Sequence, residues 1–233
     1  MLNLKVKEIR MKRTVFFVSF VLLPVLGFSQ GEFLPKGQSG LGFSAGMAFA
    51  DETRGIGGGV GYSFNGVFDI GLSYVGTNGY KNGMPYIGTF SPSITVNALK
   101  QEENTLMFLS LSLSYLSSSY SYKKDGLVRT YRLTSSSGYI LGGRIFFLPE
   151  HQEKYKLMFF AGIFLNILKF KGEYGGAFEE RDTRVSFSFG LPFEIALQRS
   201  NKLVLMPSYT IADENDSINI EVGIIIPSKR SQK

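Results

Sequence analysis

Across residues 185–197 every odd-numbered residue is apolar (Val185, Phe187, Phe189, Leu191, Phe193, Ile195, Leu197), and the residues between them are Ser, Gly, Pro, Glu and Ala. A period of two describes a β-strand with one oily face, and no helix gathers such a pattern on one side. The second face is small and weakly polar rather than charged, and the same texture returns along most of the chain. Such a strand suits lipid on one side and a narrow lumen on the other, which points the odd residues of 185–197 outward and the even ones inward.

Strand-like segments are expected near residues 39–50, 56–64, 67–76, 86–99, 105–122, 129–148, 155–171, 184–198, 202–211 and 217–226. The fold class that follows is all-β: a single closed antiparallel up-and-down transmembrane β-barrel of about 10 strands, with eight as the alternative. Residues 105–122 exceed the about 9–11 residues that cross a bilayer. Their Ser- and Tyr-rich end, with 129–137, is expected to stand clear of the outer surface. Residues 157–168 are apolar on both faces, so either Met158, Phe160 and Phe164 or Phe159, Ile163 and Leu165 enter the lumen. Asn65-Gly66 carries a type I′ hairpin signal. The connections at 100–104, 149–154 and 199–202 are short as well, whereas those at 51–55, 76–85, 123–126, 172–183 and 212–216 are mostly longer. This alternation is expected to separate a periplasmic rim from an extracellular one.

Charges collect in these connections and largely avoid strand middles. A soluble ligand-binding barrel would place charge on its outer face and apolar side chains inside, so this distribution favours lipid outside. Residues 1–29 read as an export signal: Lys12 and Arg13 precede the apolar stretch 14–26, and Gly27 and Ser29 supply small residues before Gln30. Met11 is the better start. The mature barrel then occupies residues 30–233. The formal charge of +6 includes five basic residues and one acid within 1–29, so 20 basic and 18 acidic residues remain and the net charge falls to +2. Nucleic acid is not implied as a partner. The absence of Cys removes disulfides, thiolate metal sites and a lipoprotein anchor.

The glycine-alternating GLGFSAGMAFA (40–50), GVGYSFNGVFDIGLSYVG with its short turn, SPSITVNALKQ and the closing pair PSYTIADENDSINIEVGIII resemble the small outer-membrane β-barrel proteins of Gram-negative bacteria. The resemblance covers residues 38–226. It implies outer-membrane lipid and the barrel assembly machinery as partners, and location in the cell outer membrane. The chain departs from that family in running past Ile226 to Lys233 without a terminal aromatic residue and in lacking Trp.

No catalytic, cofactor or metal residues are expected. His151, the one histidine, lies in a short turn beside Glu150 and Glu153, where too few ligands converge for a metal. GIGGGVG (55–61) lacks the Lys-Ser or Lys-Thr and the helix of a phosphate loop. Strand charges on the polar face, Asp69, Arg132, Arg144, Glu194 and Glu221, are candidates for ion pairs in the lumen, because an unpaired ion there loses hydration without compensation. Arg144 or Arg132 is the expected partner of Glu194, and Asn97 and Asn166 share this polar character. Tyr80, Lys81, Asn82, Tyr174 and Phe178 with residues 179–182 offer a loop surface for a ligand or glycan. The function these features support is a non-enzymatic structural, surface-binding or narrow-pore barrel. Two alternatives stand beside it: an outer-membrane enzyme of the lipase or protease type using a Ser among 117–121 or 135–137, and a soluble periplasmic lipid-binding barrel.

Overall fold

The computed structural model describes residues 30–50, 53–79, 86–99, 107–121, 132–147, 155–173, 177–212 and 216–228. A short 3₁₀ turn, η1 (Gln30–Phe33), precedes β1 (Gly40–Ala50), β2 (Thr53–Phe64), β3 (Phe68–Gly79), β4 (Tyr86–Leu99), β5 (Met107–Ser121) and β6 (Arg132–Phe147). Then come β7 (Tyr155–Leu157), β8 (Phe159–Glu173), β9 (Ala177–Gly190), β10 (Phe193–Ala196), a second 3₁₀ turn η2 (Gln198–Ser200), β11 (Lys202–Ala212) and β12 (Ser217–Pro227).

These segments build ten staves. β7 and β8 form one, interrupted at Met158; β9 and β10 form another, interrupted at Leu191 and Pro192. The register is unbroken across both gaps, since Leu157 pairs Phe193 on one side and Phe160 pairs Gly190 on the other. Pro192 has no N–H to give to the ladder, which accounts for the interruption without a bulge. Its carbonyl still accepts from Met158 N at 2.8 Å, and Leu191 N donates to Pro207 O at 3.0 Å.

The sheet closes. β12 pairs antiparallel with both β11 and β1, and the seam with β1 runs from Gly40↔Pro227 to Ala50↔Ser217. Ser228 extends it by donating its N–H and its hydroxyl to Ser39 O. At the same rim Asn65 and Gly66 both take positive φ (54° and 65°), as a type I′ turn requires, and Val67 N closes it on Phe64 O at 3.0 Å. This end of the barrel is called the Asn65 rim below.

The period of two becomes inside and outside without exception across residues 185–190: Val185, Phe187 and Phe189 are exposed, whereas Ser186, Ser188 and Gly190 are buried. Outward residues elsewhere are equally apolar, including Phe43, Ile70, Ile94, Leu113, Ile163, Ile218 and Ile224. A water-facing apolar surface wrapping a whole barrel is not tolerated by soluble monomers, and lipid is the solvent it fits. Tyr62, Phe64 and Phe68 make successive ring contacts near the Asn65 rim, and Tyr155 stacks on Phe193 at 6.0 Å, so Tyr and Phe supply the interfacial aromatics in place of Trp.

Several sequence boundaries are corrected. β2 begins at Thr53, β3 continues to Gly79, and the stretch 172–183 is mostly strand in β8 and β9. Only two residues separate β1 from β2 and three separate β8 from β9, so the expected contrast in connection length fails there. Glycines and charges beyond the apolar belt signal loops to a composition reading, yet a ladder in water carries them readily. Met158, Phe160 and Phe164 are the inward set of their stave, with Phe159 and Ile163 outward, so part of the lumen is packed dry. The Phe160 ring covers Gly190, whose added Cβ would lie 2.2 Å from Cε1 and 2.9 Å from Pro207 O. Gly190→Ala is therefore expected to destabilise the barrel by about 1–3 kcal/mol, as overpacking does. Urea titration of the detergent-folded protein by circular dichroism checks this, and an unchanged midpoint contradicts the packing.

Candidate functional site

Inside the Asn65 rim the lumen is crossed by the chain's own residues 31–34. η1 is closed by Leu34 N on Gly31 O at 3.3 Å, and the chain then leaves through a turn in which Gly37 holds φ 83° and donates to Asn65 O at 2.8 Å. A glycine is required there because L side chains rarely adopt that φ. Another is required at Gly31, where an added Cβ would sit 2.3 Å from Asn97 Nδ2 and 2.4 Å from Asp69 Oδ1.

The segment is held by polar groups from several sides of the ring. Gly31 N donates to Asp69 Oδ2 on β3 at 3.0 Å, and Asn97 Nδ2 on β4 donates to the same oxygen at 3.3 Å and to Gly66 O at 3.2 Å. Glu32 accepts from Ser110 Oγ on β5 at 2.8 Å and pairs with Arg144 Nη1 on β6 at 3.5 Å. Lys202 Nζ on β11 donates to Phe33 O and pairs with Glu194 at 2.9 Å. Two apolar side chains complete the seat: Phe33 and Leu34 cluster with Met158, Phe160, Val204, Met206 and Ile225, all buried. The Arg144 guanidinium also lies 5.7 Å from the Phe160 ring centre and 5.6 Å from that of Phe164, so its charge has aromatic faces as well as a carboxylate.

Of the charges picked from the sequence, Asp69, Arg144, Glu194 and Glu221 are buried. The side chain of Arg132 lies outside the described ones, although its backbone pairs with Glu173. Among the described side chains Glu194 pairs with Lys202 and not with Arg144, and the alternative of Arg132 falls outside them. The reason is geometric: Glu194 registers with Val204, which puts Lys202 on the adjacent stave one diagonal step away. Arg144 is turned to Glu32. Glu221 is fully buried near Ser44, and Asn219 Oδ1 and Ser208 Oγ beside it are buried without a hydrogen-bond partner among the described residues. Asn97 and Asn166 are inward and buried. His151, residues 80–82 and Tyr174 lie outside the described residues, as do the side chains of 178–182.

Glu32, Lys202, Gly31, Phe33 and Leu34 escaped the sequence reading because they precede the first strand or open a turn. A signal was present: GEFL, just beyond the expected cleavage point, mixes one acid with two large apolar residues that a free polar terminus would not need. Among the described residues no group of three His, Cys, Asp or Glu could hold a metal. The chemistry the arrangement offers is recognition of a peptide: a carboxylate for an N–H, a guanidinium for an acid, an ammonium for a carbonyl and an apolar wall. Lys202→Met and Glu194→Gln are each expected to cost about 2 kcal/mol of unfolding free energy, the scale of a charged hydrogen bond. The double variant should cost less than their sum, and strict additivity in denaturant titrations contradicts the pair.

Neither a family model nor a curated protein sequence matches the chain. Solved structures do. The translocator domain of the autotransporter NalP from Neisseria meningitidis superposes with TM-score 0.52 at 12% identity, over 96% of this chain and 96% of that one. The beta domain of the Bordetella autotransporter Brka gives 0.51 at 14%, over 80% and 98%. The transport unit of the autotransporter AIDA-I from Escherichia coli gives 0.50 at 11%, over 91% and 97%. The likeness is one of fold, and the chain shares with these proteins the closed antiparallel barrel.

Proposed function

We propose that the protein is a non-enzymatic barrel of the Gram-negative outer membrane, exported by its amino-terminal signal, with the Asn65 rim toward the periplasm and the lumen shut at that rim. Its work is structural or surface-binding, and passage of a small solute is confined to states in which the rim is cleared. The observation that carries this reading is the filled lumen: Phe33 and Leu34 pack with Met158, Phe160 and Met206 where a conducting barrel needs an open throat. The apolar outer face supports the membrane, and the outer-membrane resemblance of the sequence supports the compartment and assembly by the barrel machinery. The loops at the far rim are the surface at which a ligand or glycan would be met.

The purified protein should need detergent for extraction, and it should migrate differently on gels with and without boiling. In planar bilayers the wild type should show no steady conductance. Extraction without detergent, or absence of a gel shift, overturns the membrane reading; steady wild-type currents overturn the closed lumen.

A further inference from the structure

We propose that the Asn65 rim is a peptide-binding socket, that the chain's own residues 31–34 are its ligand, and that occupancy is what shuts the lumen. The inference rests on the membrane-barrel reading above and adds to it a specific ligand class: a short peptide with a small residue, an acid and two large apolar residues in succession.

Each position of the segment meets a matching group. Gly31 offers its N–H to Asp69 and has no room for a Cβ. Glu32 is taken by Arg144 and Ser110, the carbonyl of Phe33 by Lys202, and the side chains of Phe33 and Leu34 by the apolar cluster. These partners come from β3, β5, β6, β8, β11 and β12, so the ligand bridges the throat instead of lying against one wall. The contacts are those of recognition, made by side chains far away in sequence, and not of a strand added to the sheet.

Beyond the segment the lumen divides. One side mixes apolar and hydroxyl groups, with Val75, Ile87 and Leu116 buried among Thr77, Thr89 and Ser91. The other is a polar stripe rising from Glu221 through Asn219 and Ser208 to Thr210, Ser188 and Ser217. Residues 31–34 close the foot of that stripe. Glu221 is fully buried there, with Ser44 of β1 and the charges of Arg144 and Glu32 around it. When the segment leaves, Arg144 loses Glu32 and keeps the aromatic faces of Phe160 and Phe164.

The test uses the full-length protein and three variants: deletion of residues 31–34, Glu32→Gln and Gly31→Val. In planar bilayers the deletion variant, provided it keeps the gel shift, should conduct steadily at roughly tenfold or more above the wild-type background, the free-energy equivalent of a buried charged contact. Synthetic peptide Gly-Glu-Phe-Leu-Pro on the Asn65 side should suppress that current, and the Gln version of the peptide should need roughly tenfold more. A folded but silent deletion variant, or a current indifferent to the peptide, overturns the socket while leaving the membrane barrel standing. Should the deletion variant fail to fold, Phe33→Cys supplies the measurement, because the chain has no other Cys. Its maleimide labelling in liposomes should be slow alone and roughly tenfold faster when combined with Glu32→Gln or Gly31→Val, the factor tracking the weakened seat. Equal labelling in all backgrounds overturns the proposal. Loss of the gel shift in the wild type itself instead removes the membrane reading beneath it.

Discussion

In hydrocarbon no water is available to satisfy a free N–H or C=O, and every other feature of this barrel depends on meeting that demand. A sheet with open edges cannot meet it. The seam between β1 and β12 does, by pairing the whole of β1 with β12. Closure in turn fixes which residues face inward, because a side chain on a stave has only two directions. Once the ring is shut, each inward charge must find its partner on a neighbouring stave, as Glu194 does in Lys202, or in a segment placed inside the lumen, as Arg144 does in Glu32.

The lumen is not uniform, and its two materials do different work. Small hydroxylated residues bond to one another along the inner face, as where the hydroxyls of Ser188 and Thr210, register partners on neighbouring staves, meet at 2.7 Å. Aromatic residues fill what remains, and Phe160 does so by covering Gly190 on the next stave. Glycine on the inner face thus makes room for a ring, and its neighbour's bulk is placed where its own absence of a side chain permits. The buried Arg144 is stabilised by the same economy of space: Gly162, opposite it in register, leaves room for both the Phe164 ring and the arginine stem.

Much of this was legible in the chain. Alternation at residues 185–197 and 217–226 carries the strand, its orientation and the lipid-facing surface, because a period of two has one structural meaning when one phase is wholly apolar. Asn65-Gly66 announced its turn. Boundaries in glycine-rich and charged stretches were less legible, since residues 53–55 and 177–183 pair by backbone bonds that side-chain composition does not encode. The site was legible only in half. Asp69, Arg144, Glu194 and Glu221 stand out as charges on an inner face, whereas Glu32 lies outside any periodic pattern and its partner is 112 residues away. Periodicity locates the wall of a barrel and is silent about what the chain places inside it.

The apolar pocket that receives Leu34 includes Ile225, a residue of the last stave, and Phe33 is held through Lys202, 169 residues further along the chain. Neither contact exists until β11 and β12 have joined the ring. The seat of Phe33 and Leu34 is therefore complete only when the final hairpin is in place, although the segment that fills it is made early. One short segment near the start of the barrel thus gathers its contacts from both ends of the chain.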